Sequence, residues 1–71
     1  MQVNYNKLWK RLIDLDMKKY QLRDQAHISS NSMAKLGRNE YVSLEVLSKI
    51  CDCLECNIGD ICEFKKETLE K

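Results

Sequence analysis

The chain has 71 residues, of which 44% are hydrophobic and 32% charged, and its net charge is +1. That length allows one core and one domain spanning 1–71 and excludes a multidomain enzyme, while the apolar fraction is too high for a disordered chain. With no proline, two glycines and no cluster of strand formers, the composition points to helices.

No long apolar run follows the first residues, so neither a signal peptide nor a membrane span can be drawn, and a cytoplasmic location is expected. A first helix is predicted from about Asn6 to Leu15, with Leu8, Leu12 and Leu15 on one face and Trp9 and Ile13 widening the stripe. Asp16-Met17-Lys18 breaks it. A second helix covers about Lys19 to Ala26, with Leu22 and Ala26 inward, and His27-Ile28 forms a turn. Ser29 caps a third helix, about Ser30 to Arg38, which turns Met33 and Leu36 inward. Asn39 suits the left-handed position that ends it. Ser43 caps a fourth helix, about Leu44 to Leu54, whose apolar face is Leu44, Leu47, Ile50, Cys51 and Leu54. Asn57 caps a last short helix, about Ile58 to Phe64, with Ile61 and Phe64 inward; the core is expected over 6–64, followed by a flexible polar tail, 65–71.

Charge is uneven along this order. Residues 1–40 carry a net charge of +4 and residues 41–71 a net charge of −3. A basic half beside an acidic half can present one face to a polyanion without being basic overall. A short connection between the second and third helices also holds them at the angle of a helix-turn-helix, a spacing shared with simple αα corners.

The segment from Lys18 to Leu36, with Ser43 to Ile61, resembles the phage repressor/Cro-type helix-turn-helix family, also called the XRE family. The pattern runs Leu22, a turn, Ile28-Ser29, polar residues, Met33, Leu36, and then Leu44, Leu47, Ile50-Cys51, Leu54 and Ile58. The resemblance covers about residues 6–64. It implies an all-α, compact five-helix bundle (lambda-repressor-like) that binds double-stranded DNA as a transcriptional regulator, in the first instance a repressor. It implies that the third helix enters the major groove, with Ser30, Asn31, Ser32 and Lys35 reading bases. Lys18, Lys19, Arg23, Arg38 and Asn39 would lie along the phosphates. The residue chemistry is consistent: asparagine bonds bidentately to adenine, lysine reaches guanine, and a helix start favours phosphate. One helix reads few base pairs, so a homodimer on two half-sites is expected. Three positions depart from the family pattern: Arg23 where a small residue is usual, His27 where glycine is usual, and Gly37 with Leu12 where an acid and a base often pair.

Other constellations carry less. The four cysteines are spaced C-x-C-x₂-C-x₅-C, which lacks a zinc knuckle, and they read as buried structural thiols, with Cys53 the most open to oxidation. His27 is the single histidine and no Gly-rich phosphate loop exists, so no catalytic centre, cofactor, metal or small-molecule substrate is expected. Tyr5, Trp9 and Phe64 read as closure between the chain ends, and Tyr41 as an exposed loop residue. A rival reading keeps the fold and assigns it another role, that of an antitoxin-like or accessory protein-interaction module whose acidic half binds a basic partner.

Overall fold

The computed structural model describes residues 1–66. Its elements follow chain order as β1 (Gln2–Asn4), α1 (Asn6–Asp14), α2 (Lys19–Ala26), α3 (Ser30–Gly37), α4 (Leu44–Leu54), a 3₁₀ turn (Ile58–Asp60) and β2 (Glu63–Lys65). The structure is thus mostly helical, with four α-helices among the described residues. No helix among them is long and apolar enough to cross a membrane.

Serines start the two central helices. Ser29 Oγ accepts from the Ser32 amide at 3.0 Å, and Ser43 Oγ accepts from the Val46 amide at 3.2 Å. Each bond satisfies one of the amides left without a partner at a helix start. At α2, Gln21 does the equivalent by accepting from the Lys18 amide at 2.8 Å.

All four helices end in one way. Asp16, His27, Asn39 and Glu55 are the non-glycine residues with positive φ, at 55°, 59°, 57° and 54°. The amide after each bonds five residues back: Met17 to Leu12, Ile28 to Arg23, Glu40 to Lys35 and Cys56 to Cys51, at 2.8–3.1 Å. The amide of the left-handed residue itself bonds three back, to Ile13, Asp24, Leu36 and Asp52, at 3.0–3.4 Å. This is the Schellman closure, which glycine usually completes. Neither glycine here has a positive φ; Gly37 is the last residue of α3 and Gly59 lies in the 3₁₀ turn.

The core is Leu8 and Leu12 of α1, Leu22 and Ala26 of α2, Ile28, Leu36 of α3, Leu47, Ile50 and Leu54 of α4, and Ile61, joined by Val3 and Tyr5. Fully burying one such aliphatic side chain contributes about 1.5–3 kcal/mol. Two members of the expected α1 stripe are outside it, because Ile13 is 76% and Leu15 50% exposed. Leu44, placed on the apolar face of α4, is 73% exposed.

The fifth helix is absent from the described residues. After a single 3₁₀ turn the chain straightens into β2, which pairs antiparallel with β1 so that Val3 faces Phe64. Ile61 is fully buried as expected, but Phe64 is 63% exposed and tilts against Tyr41 with ring centroids 6.5 Å apart. Lys65 belongs to this ribbon, not to a tail; of the rest of the expected tail, Lys66 follows β2 exposed and residues 67–71 lie outside the described residues. Tyr5 closes the junction. Its hydroxyl donates to the Glu40 carbonyl at 2.7 Å, its amide donates to Asn39 Oδ1 at 3.3 Å, and burial raises its pKa. Asn4 is buried beside it; its Oδ1 accepts from the Asn6 amide at 3.2 Å, while its Nδ2 has no protein partner.

Candidate nucleic-acid interface

Helix α3 is held to the body by one fully buried side chain, Leu36, with Met33 packed part-buried on the same core. At 3.6 residues per turn, the side of α3 turned from Leu36 carries Ser30, Asn31 and Ala34, with Lys35 at its edge. Ser30, Asn31 and Ala34 are exposed and Lys35 is half-buried. The surface is short and mostly polar, and α3 itself carries no carboxylate, though Asp24 reaches Ser30 through Arg23 and Glu40 lies near Lys35. Ala34 joins this side because it lies one turn beyond Ser30, a spacing visible in the sequence.

Ser32 stands apart from the other three residues expected to read bases. It is half-buried, its amide donates to Ser29 Oγ, and its own hydroxyl accepts from Ser29 at 3.1 Å. Both polar groups serve the cap, so Ser32 shapes the start of α3 instead of extending from it.

The basic residues divide into two sets. Lys18, Lys19 and Lys35 make no ion pair among the described residues. Lys19 Nζ lies 4.3 Å from the centre of the Trp9 ring, a cation–π contact that fixes the start of α2 against α1. Arg23 and Arg38 carry acidic partners. Arg23 Nε meets Asp24 at 3.1 Å, and its Nη1 donates to Ser30 Oγ at 3.4 Å, the single basic contact with the first turn of α3 among the described residues. Arg38 grips Glu40 through two bonds, at 2.8 and 3.4 Å. Arg38, ahead of the weaker charge of Lys35, holds the Glu40 carboxyl below the usual glutamate range, and the Arg38 pKa is raised in turn. Both side chains are exposed, so a polyanion can compete for this pair.

Asn39 adopts the expected left-handed backbone, but its side-chain oxygen is committed to the Tyr5 amide. His27 does so as well, with φ 59° and ψ 45°, at the turn between α2 and α3. Gly37 has open space around the missing Cβ, so packing does not demand glycine there. The hydroxyl of Tyr41 donates to the Met1 carbonyl at 3.0 Å.

A groove of about 800 Å³ lies elsewhere, along α4 and the 3₁₀ turn. Asp52, Glu55 and Asp60 line it, and none of its lining residues is basic, so it repels phosphate. Among the described residues, no three His, Cys, Asp or Glu side chains gather closely enough to hold a metal ion.

Comparison with known proteins agrees with this geometry. Residues 7–67 match the Cro/C1-type helix-turn-helix DNA-binding domain. The crystal structure of the transcriptional regulator VanUg, Form II, is similar to this fold with a TM-score of 0.85 and 58% sequence identity, covering 87% of this chain and 83% of that one. A search of curated proteins found no match.

Proposed function

Since this chain belongs to the Cro/C1-type helix-turn-helix DNA-binding domains, we propose that it is a sequence-specific regulator that represses transcription by occupying an operator. Helix α3 enters the major groove with Ser30, Asn31 and Lys35 toward the base edges. Asn31 donates to and accepts from one adenine, Lys35 donates to guanine acceptors, and the Ala34 methyl meets a thymine methyl. Lys18, Lys19, Arg23 and Arg38 lie along the phosphates and set the register, which carries no sequence information by itself. To do so, Arg38 exchanges Glu40 for a phosphate. Asn39 holds the loop against Tyr5 and approaches the backbone through its amide nitrogen. A homodimer places two α3 helices about one helical turn of DNA apart, roughly 34 Å.

The observation that carries this reading is the exposed side of α3, a helix with no acid of its own, anchored from beneath by Leu36. The test starts with selection of bound sequences from a random duplex pool, followed by polarisation binding of the selected duplex at several salt concentrations. About four neutralised phosphates give a log–log salt slope near −3.6 for one protomer, and about twice that for a dimer on both half-sites. Asn31→Ala is expected to lose about 1–3 kcal/mol of discrimination at one base position, while Lys19→Ala weakens specific and random DNA alike. A pool that enriches nothing, with binding indifferent to salt, overturns the proposal and favours the protein-interaction reading, which the pairing of Arg23 and Arg38 with acids already supports.

A further inference from the structure

The closure at the end of α4 differs from the other three in what it brings together. A Schellman closure brings the residue four positions before the left-handed one beside the residue just after it, often in side-chain contact. At α1 that pair is Leu12 and Met17, and at α3 it is Lys35 and Glu40; at α4 it is Cys51 and Cys56, whose backbones are joined by the 3.0 Å Cys56-to-Cys51 bond. Cys51 and Cys56 both line the solvent-open groove beside α4. The other two thiols have other partners: Cys53 donates to Gln25 Oε1 at 3.8 Å, and Cys62 to the Ile58 carbonyl at 3.6 Å. All four cysteines are free.

We infer that Cys51 and Cys56 form a reversible dithiol–disulfide site, closed by a peroxide and reopened by a small thiol reductant. The Cys56 thiolate attacks the O–O bond of hydrogen peroxide; an S–O bond forms, and the departing hydroxide takes up a proton to become water. The Cys51 sulfur then displaces the hydroxyl from that sulfenic acid. The S–S bond forms, the S–O bond breaks, and the second water carries away the Cys51 proton. Two thiols lose two electrons and the peroxide gains them. Burial first, and then the neighbouring Cys56, push the Cys51 thiol up to about 11, which keeps it protonated at neutral pH and out of the first, thiolate-dependent step. The backbone bond that joins the two residues holds them side by side across the end of α4, the approach a disulfide needs.

The test uses the full chain treated with hydrogen peroxide, followed by thiol titration, intact mass under non-reducing conditions and peptide mapping. Cleavage after Asp52 and Glu55 separates Cys51, Cys53 and Cys56, so the crosslinked peptides identify the bond. The wild type is expected to fall from four titratable thiols to two as a monomer, with Cys51 joined to Cys56, and dithiothreitol restores all four. The Cys53→Ser/Cys62→Ser variant, which retains the pair, is expected to lose both remaining thiols within one chain; Cys56→Ser is expected to form no internal bond. A crosslink from Cys51 to Cys62, a double variant that yields only dimers or keeps its thiols, or an internal bond surviving in Cys56→Ser overturns the assignment. The wild-type map decides the question even if a variant fails to fold.

Discussion

Helices α3 and α4 share one frame and put it to opposite uses. Each starts at a serine that caps the third residue onward, and each ends at a left-handed residue flanked by the same pair of backbone bonds. Yet α3 buries Leu36 alone, whereas α4 buries Leu47, Ile50 and Leu54. The backbone bonds therefore define where a rod begins and stops, and the side chains decide whether it becomes core or surface. A helix that gives one residue fully to the interior leaves Ser30, Asn31 and Ala34 exposed, while α4 holds the body together.

The comparison is broken most severely in the core. Ile50→Ala is expected to lose about 2–5 kcal/mol, most of the stability of so small a domain, seen as collapse of the thermal transition in circular dichroism. Leu36→Ala falls in the same range. If α3 is indeed held by that side chain, its DNA affinity falls faster than its melting temperature.

The caps sharpen the contrast at a smaller scale. Ser43→Ala and Ser29→Ala are each expected to cost about 1 kcal/mol in urea titration, but only Ser29→Ala is expected to weaken DNA binding, because it loosens the surface that Asn31 belongs to. Equal effects on binding would show that α3 has no special tie to the ligand.

The left-handed residues move stability the other way. Glu55→Gly is expected to gain up to about 1 kcal/mol by removing the Cβ conflict, or roughly 4–8 °C in melting temperature. Asn39→Gly is expected to gain less or to lose, since asparagine tolerates this backbone and its side chain binds Tyr5.

The smallest effect belongs to Arg38 and Glu40. The Glu40 carboxyl sits below its ordinary value, so its contribution is present above the usual glutamate range and is lost as pH falls through the depressed value. Glu40→Gln is expected to flatten that part of the stability profile below about pH 5, while raising affinity for DNA by freeing Arg38. Carbon-detected NMR titration of the Glu40 carboxyl checks the direction.

Much of this was legible in the residues. Leu22, Ala26, Leu36 and Leu47 recur at helical spacing, and Ser29 and Ser43 stand directly before such runs, so both elements and caps could be read locally. The exposed side of α3 followed from knowing its buried side. What failed was tertiary. Ile13, Leu15 and Leu44 continue an apolar pattern past the point where a neighbour exists to cover it. The ribbon of Gln2–Asn4 with Glu63–Lys65 is too short to show alternation, and its pairing joins opposite ends of the chain. Glu55 carries no chemical hint of a left-handed backbone; its place is forced by the return of the chain toward Ile61. The commitment of Ser32 to the cap and of Asn39 to Tyr5 likewise depends on partners that spacing alone does not reveal.

That ribbon also orders events in time. Its two strands flank all four helices in the sequence, so zipping them shut closes a loop that spans every helix. The helical hairpin of α2 and α3 spans few residues and can assemble first. Native-state hydrogen exchange should accordingly find the ladder amides of Gln2–Asn4 and Glu63–Lys65 released in a partial opening that leaves Leu22 and Leu36 protected.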